Sequence, residues 1–294
     1  MRALVFGEIL WDIIHGTSHL GGAPFNFAAH LAKMGGEVTV LSAVGDDELG
    51  SRAIEKAKEY RIDTRFIGIH SDLPTGTVDV TVDASGQPDY TIHENVAWDS
   101  IELSEEEYRA LETPVWDVIY IGTIAQRSDM NRAVLRRLFD TARRNHVFCD
   151  VNLRQSYYSR DIIERSLLVS TVVKVNDDEA RTLSELFNGR PMPIEPAARR
   201  LRESFGHDIV IVTRGGEGAF VCAESESLYT TCSDVEVIDT VGAGDSFSAG
   251  FLYGFLSGMG ISVASNLAAS VADFVVSRAG AIPDYPEGLE TRFA

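Results

Sequence analysis

The sequence predicts an α/β chain in three layers, α/β/α, with a mainly parallel central sheet and a small β-sheet set apart as a lid. Two observations predict it. Apolar runs of strand length recur at Ala3–Gly7, Val38–Val44, Val115–Ile121, Val147–Val151, Thr171–Val175 and Ile209–Thr213, with helical patterns between them. Crossovers on a parallel sheet require that alternation. The rhythm breaks once, from Thr75 to His93, where Thr77, Asp79 and Thr81 alternate with Val78, Val80 and Val82 ahead of a turn at Ala84-Ser85-Gly86-Gln87. Strict alternation reads as a half-exposed antiparallel hairpin.

Taken in order, Ala3–Gly7 meets Glu8 too early to be a secretory apolar region and reads as the first strand. Ile9–Leu20 adds to the small sheet, so that residues of about 9–20 and 65–97 supply the lid strands of a single domain, 1–294. Helices are expected at Pro24–Met34, Asp47–Tyr60, Ser128–Asn145 and Asn176–Phe187, and Pro191–Pro196 reads as a loop before another helix. Gly218–Ala223 and Ser227–Cys232 form a second hairpin, and helices Gly244–Ser257 and Ile261–Ser277 close the chain. Half-polar hairpins suit either closure over a pocket or a homodimer through the lid.

A chain of 294 residues fits one large domain. Lys and Arg total 26 against 44 Asp and Glu, a net charge of -18, so neither nucleic acid nor an anionic membrane is an expected partner. Cys149, Cys222 and Cys232 show no C-x-x-C spacing, which suits a reducing, cytoplasmic setting. The apolar stretch Ile261–Val276 is interrupted by Asn266 and Asp273 and is too short to cross a bilayer.

The segment Asp239–Phe251 reads D-T-V-G-A-G-D-S-F-S-A-G-F, a glycine-rich turn that runs into a helix. Unpaired N–H groups and the positive end of the backbone dipole make a helix start attractive to phosphate. Gly242 and Gly244 let backbone approach an anion closely. Asp245 at that place repels phosphate unless it serves to take a proton from an attacking hydroxyl. The alternative is a helix-capping Asp. Competing motifs are absent: there is no G-x-x-x-x-G-K-[ST], no G-x-G-x-x-G after the first strand, no H-E-x-x-H pair among the seven histidines and no G-x-S-x-G.

Further motifs stand in order along the chain: Gly21-Gly22-Ala23-Pro24-Phe25-Asn26 running to Gly35, Gly45-Asp46-Asp47 with Gly50, Asp150-Val151-Asn152-Leu153-Arg154, Asn176-Asp177-Asp178-Glu179, and Val212-Thr213-Arg214-Gly215-Gly216 with Gly218. With Asp239–Phe251 they resemble the ribokinase-like (PfkB) carbohydrate kinases over essentially the full length. Gly7-Glu8-Ile9-Leu10-Trp11-Asp12 followed by Gly21-Gly22-Ala23-Pro24 is most similar to fructokinases.

The resemblance implies transfer of phosphate from ATP to a small sugar, with fructose first. The alternatives are another sugar or sugar acid, such as ribose or 2-keto-3-deoxygluconate, and a catalytically silent sugar-binding regulator. It implies Asp245 as general base, with the N–H groups of Gly242, Ala243 and Gly244 stabilising the transferred phosphoryl group. Asp12, Gly22 and Asn26 are implied at the sugar, although Asn26 also suits a helix start and Asp12 a solvated turn. Arg154 is either a contact to sugar or phosphate or a surface ion-pair member, and Lys174 either reaches phosphate or is structural.

Asn176 and Glu179 share a helix face and match the family's N-x-x-E motif, which organises Mg2+ through water. A capped helix start explains the same residues. Thr213, Gly215, Gly218, Thr240 and Asn266 are implied at the nucleotide, and Asp239, with carbonyls near Val241, Ala279 and Ala281, in a K+ loop.

Overall fold

Alternate residues of a strand face opposite sides of its sheet, and the computed structural model sorts them into two cores accordingly. It describes residues 1–14, 16–82 and 88–286. Among them the elements are β1 (Arg2–Phe6), β2 (Leu10–Ile14), β3 (Thr17–Gly21), α1 (Ala23–Lys33), β4 (Glu37–Gly45), α2 (Glu48–Glu59), β5 (Asp63–His70), β6 (Gly76–Val82), β7 (Pro88–Ile92), α3 (Glu105–Glu112), β8 (Val115–Gly122), α4 (Asp129–Thr141) and β9 (Arg143–Asp150). The chain continues with α5 (Arg160–Val169), β10 (Val172–Asn176), α6 (Asp177–Asn188), α7 (Ile194–Phe205), β11 (Ile209–Thr213), β12 (Ala219–Ala223), β13 (Ser227–Thr230), α8 (Ala243–Leu256) and α9 (Ile261–Val276).

The large sheet has nine strands in the order β13-β12-β11-β10-β9-β8-β1-β4-β5, parallel from β5 to β11 and antiparallel beyond. Ala3 and Val5 face one core, shared with α1, α2, α8 and α9; Leu4 and Phe6 face the other, shared with α4, α5, α6 and α7. This is the expected three-layer arrangement. The chain leaves β1 for β4 on one side and later returns to β8 on the other, so β1 marks the topological switch point, where a crevice opens at the carboxyl ends of the strands.

A separate four-stranded sheet has the order β3-β2-β6-β7, with β2 and β6 parallel and the outer pairs antiparallel. The expected hairpin turn at Ala84–Gln87 lies outside the described residues. Of the span 65–97, the first part belongs elsewhere: β5 pairs with β4 at the edge of the large sheet. Two other boundaries differ from expectation. The helix expected to reach Asn145 ends at Thr141, because Arg143 already pairs with Val115 and extends β9 outward. The loop expected through Pro196 is already helical from Ile194, since a proline in the first turn of a helix forfeits no hydrogen bond.

Candidate active site

The site is organised around the start of α8. Gly242 is its N-cap, in the left-handed region at φ 78°, and a Cβ there would lie 2.7 Å from the carbonyl oxygen of Ala281. Only glycine satisfies both conditions. No side chain caps this helix, so the capping alternative for Asp245 does not hold. Its Oδ2 instead accepts a 2.8 Å hydrogen bond from Asn26 Nδ2, across 219 residues of sequence. Ala243, expected to contribute a free N–H, donates it to Thr240 at 3.3 Å.

Asn26 is placed by α1, whose residues Pro24 to Ala32 are all buried. Phe27 stacks on Tyr120 of β8, with centroids 4.4 Å apart, and on Phe148 of β9 at 6.1 Å. Such pairs contribute about 1 kcal/mol each beyond area burial, and they fix the rotation of α1. One turn further on, His30 is fully buried, and burial pushes its pKa down to about 4. The neutral ring donates from Nε2 to the carbonyl of Ala281 (2.9 Å) and accepts at Nδ1 from Tyr285 (2.7 Å). Lys33 adds a 2.7 Å bond to the carbonyl of Pro283.

Beneath α8 the sheet register aligns Gly122 with Asp150 and Asp150 with Lys174. Lys174 donates to both oxygens of the fully buried Asp150, at 2.7 and 3.0 Å. Burial pulls the lysine's pKa down, but Asp150, Glu179 and Asp245 outweigh it, so the ammonium stays charged. Its Nζ lies 3.4 Å from where a Cβ on Gly244 would stand. Asp150 is a site residue that the sequence reading did not single out. So is Glu8, 2% exposed, whose carboxyl burial pushes up to about 8.

Gly21 and Gly22 run between two carboxyl groups. A Cβ on Gly21 would meet Asp12 Oδ2 at 2.7 Å, and one on Gly22, at φ 101°, would meet the carbonyl oxygen of Glu8 at 2.6 Å and its Cγ at 3.4 Å. Asp12 is on β2 rather than in a solvated turn, and burial lifts its pKa to about 6 against the pull of His19. Arg154 is half exposed, donates to the carbonyl of Leu153 and stands 4.0 Å from Glu179. It belongs to an ion pair and still faces the cleft, where its charge acts on both Glu8 and Asp245.

Asn176 and Glu179 form a reciprocal capping box at the start of α6: Glu179 N donates to Asn176 Oδ1 and Asn176 N to Glu179 Oε2, both at 2.8 Å. Glu179 Oε1 accepts from Leu153 N at 3.1 Å. Thr213 lies beside Asn176 in register. Gly215 follows at the end of β11, and Gly218 packs against Thr230, whose hydroxyl donates to Asn266 Oδ1 at 2.9 Å. Thr240 is exposed in the turn before α8. Asp239 accepts from Val241 N (3.0 Å) and Gly280 N (2.9 Å), tying this turn to the C-terminal segment. The structure thus brings Asn26, Arg154 and Lys174 to Asp245, sets Asp12 beside Gly21 and Glu8 beside Gly22, and links Thr213 to Asn176 and Gly218, through Thr230, to Asn266.

The family model for pfkB family carbohydrate kinases matches residues 4–288. A fructokinase of Klebsiella pneumoniae is 26% identical over 300 residues, covering 98% of this chain and 94% of that protein. An ATP-dependent 6-phosphofructokinase of Thermoanaerobacterium thermosaccharolyticum is 27% identical, covering 97% of this chain and 90% of its own length. A fructokinase of Vibrio cholerae O395, solved as a double mutant with fructose, ADP and potassium ion, is similar in fold, with a TM-score of 0.84 at 21% identity over 99% of this chain and 97% of that one.

Proposed function

Because the chain belongs to the pfkB family of carbohydrate kinases, we propose that it transfers the γ-phosphoryl group of ATP to a hydroxyl of fructose. The observation that carries the mechanism is the Asn26–Asp245 hydrogen bond at the uncapped start of α8. Asn26 holds one carboxylate oxygen of Asp245, and the other takes the proton of the attacking hydroxyl. The N–H groups of Gly242 and Gly244 and the dipole of α8 stabilise charge on the transferred oxygens. The N–H of Ala243 joins them once its long bond to Thr240 opens. Asp12 and Gly22 hold the sugar with Asn26, and Arg154 closes its mouth. Lys174, held by Asp150, adds positive charge below the phosphate.

Thr213, Gly215, Gly218, Thr240 and Asn266 take the nucleotide in this reading. Among the described residues no group of three or more His, Cys, Asp or Glu is arranged to hold a metal. Both oxygens of Glu179 already accept a backbone N–H, so the residues fit Mg2+ held by phosphate and water, with Asn176 and Glu179 orienting that water. Bound there, Mg2+ neutralises triphosphate charge. Asp239 shapes the loop proposed for K+ through Val241 and Gly280. The small sheet closes over the sugar to exclude water, its outer face suits a homodimer, and the reaction belongs in the cytoplasm with ATP.

Fructose is favoured by the Gly7–Asp12 and Gly21–Pro24 segments and by the Klebsiella relative. The exposed guanidinium of Arg154 favours the second reading, a sugar acid such as 2-keto-3-deoxygluconate. ADP release across fructose, ribose, 2-keto-3-deoxygluconate and fructose 6-phosphate decides between them. Fructose is expected to lead in kcat/KM by about tenfold or more; a lead for the sugar acid overturns the assignment.

The pH profile tests the base. Burial lifts Asp245 to about 6, with Asp150 pushing the same way and Lys174, Asn26 and Arg154 opposing. Only the ionised form accepts a proton, so kcat/KM is full above that value and falls as pH drops through about 6. An acid limb near 6 that persists in the residual turnover of Asp245→Asn would assign it to another group.

A further inference from the structure

Two buried polar atoms without partners lie beyond the ends of the adjacent strands β1 and β8, one on a carboxyl group and one on a guanidinium. Glu8 Oε2 makes no hydrogen bond. Arg127 Nη1 makes none either, although the rest of that guanidinium is fully used. Its Nε and Nη2 donate to the two oxygens of Asp99 at 2.7 Å, Nη2 donates also to the carbonyl of His93 at 2.6 Å, and the group lies over the rings of Trp98 (4.1 Å) and Tyr157 (4.6 Å). Trp98 closes the distance to β1. A Cβ on Gly76 would meet Trp98 Nε1 at 2.1 Å and the carbonyl of Ile9, the residue after Glu8, at 3.3 Å.

Asn26 Oδ1 is a third buried atom without a partner, while the same amide's nitrogen is committed to Asp245. A buried group left unpaired costs about 1–3 kcal/mol. Three around one crevice, at the topological switch point, mark the outline of a ligand that completes them.

Resting on the sugar-kinase reading above, we propose that Glu8 and Arg127 together bind a hydroxyl of the sugar remote from the one phosphorylated, and that this pair selects a neutral sugar. Arg127 is held by Asp99, His93, Trp98 and Tyr157, none of them on α8 or on the nucleotide side, so the pair serves the far end of the substrate. A hydroxyl accepts from Nη1 and exchanges a hydrogen bond with the Glu8 carboxyl. The charges facing Glu8 are Asp245 from α8, Arg127 from the β8–α4 connection and Arg154 from the β9–α5 connection; burial, with Asp245 pushing the same way, outweighs a backbone hydrogen bond and the two guanidinium groups and keeps the carboxyl largely neutral near pH 7. A phosphate or carboxylate at this place meets a guanidinium whose charge Asp99 already balances and which has only one free nitrogen.

The test compares Glu8→Met, which keeps the volume, with Glu8→Gln, which restores a donor and an acceptor. Titration calorimetry with fructose and its monodeoxy analogues reads binding whether or not turnover occurs. Glu8→Met is expected to weaken fructose about 30-fold, and Glu8→Gln to recover most of that loss. One deoxy analogue should bind wild type about 30-fold more weakly yet lose nothing further in Glu8→Met. The ATP KM should stay within about threefold in both variants. The proposal is overturned if Glu8→Met binds fructose as wild type does, if every analogue loses the same factor in the variant, or if Glu8→Gln is no better than Glu8→Met. A wild type that binds fructose in this pattern without phosphorylating any sugar overturns the kinase reading alone.

Discussion

Asp245→Asn is expected to lower kcat about a thousandfold while fructose binding changes less than about threefold, because a positioned general base contributes about 10²–10⁴. The substitution is close to isosteric. An amide at this position still accepts the Asn26 N–H through its oxygen, so the link between α1 and α8 survives and only proton acceptance is lost. Single-turnover kinetics with saturating ATP, set beside calorimetric binding of fructose, separates the two quantities. Activity within tenfold of wild type would show that the proton leaves by another route.

Lys174→Met is expected to produce the largest loss of stability. It strands the Asp150 carboxylate in a site with 0% exposure, where the remaining contacts, from the hydroxyls of Tyr120 and Ser248, are 3.4 Å long. Removing one partner of a buried ion pair costs about 3–5 kcal/mol, or roughly 10 °C in Tm for a chain of this size. Lys174→Met with Asp150→Leu should recover part of that loss, since no unpaired charge then remains. Urea unfolding of the three proteins checks both statements. A single variant as stable as wild type would mean that Asp150 takes up a proton or a water at little cost.

The layered sheet was legible because β1 and β11 read as apolar runs buried on both faces but for one end residue, and within β8 and β10 only Asp117 and Lys174 interrupt such a run. The start of β9 was not, because Arg143, Arg144 and Asn145 are polar and resemble the end of a helix, while their pairing with β8 is a tertiary fact. Asp245 was legible from its place in G-A-G-D, but its partner was not, since no local pattern joins positions 219 residues apart. Asp150 and Glu8 left a fainter signal: each is an acid directly following a buried apolar run, at the strand end where ligands gather. Asn176 and Glu179 show the opposite limit. Their spacing specified a shared face and a capping box at once, and the box is what the backbone forms locally.

The bond from His30 to Ala281 has a mechanical consequence. Asn26 and His30 are one turn apart on α1, whose aromatic neighbour Phe27 is wedged into the sheet. Ala281, gripped by His30, presses against Gly242. Helix, imidazole and C-terminal segment therefore form a strut whose ends are the amide beside Asp245 and the N-cap glycine of α8. Neither end is free to travel without loading the other.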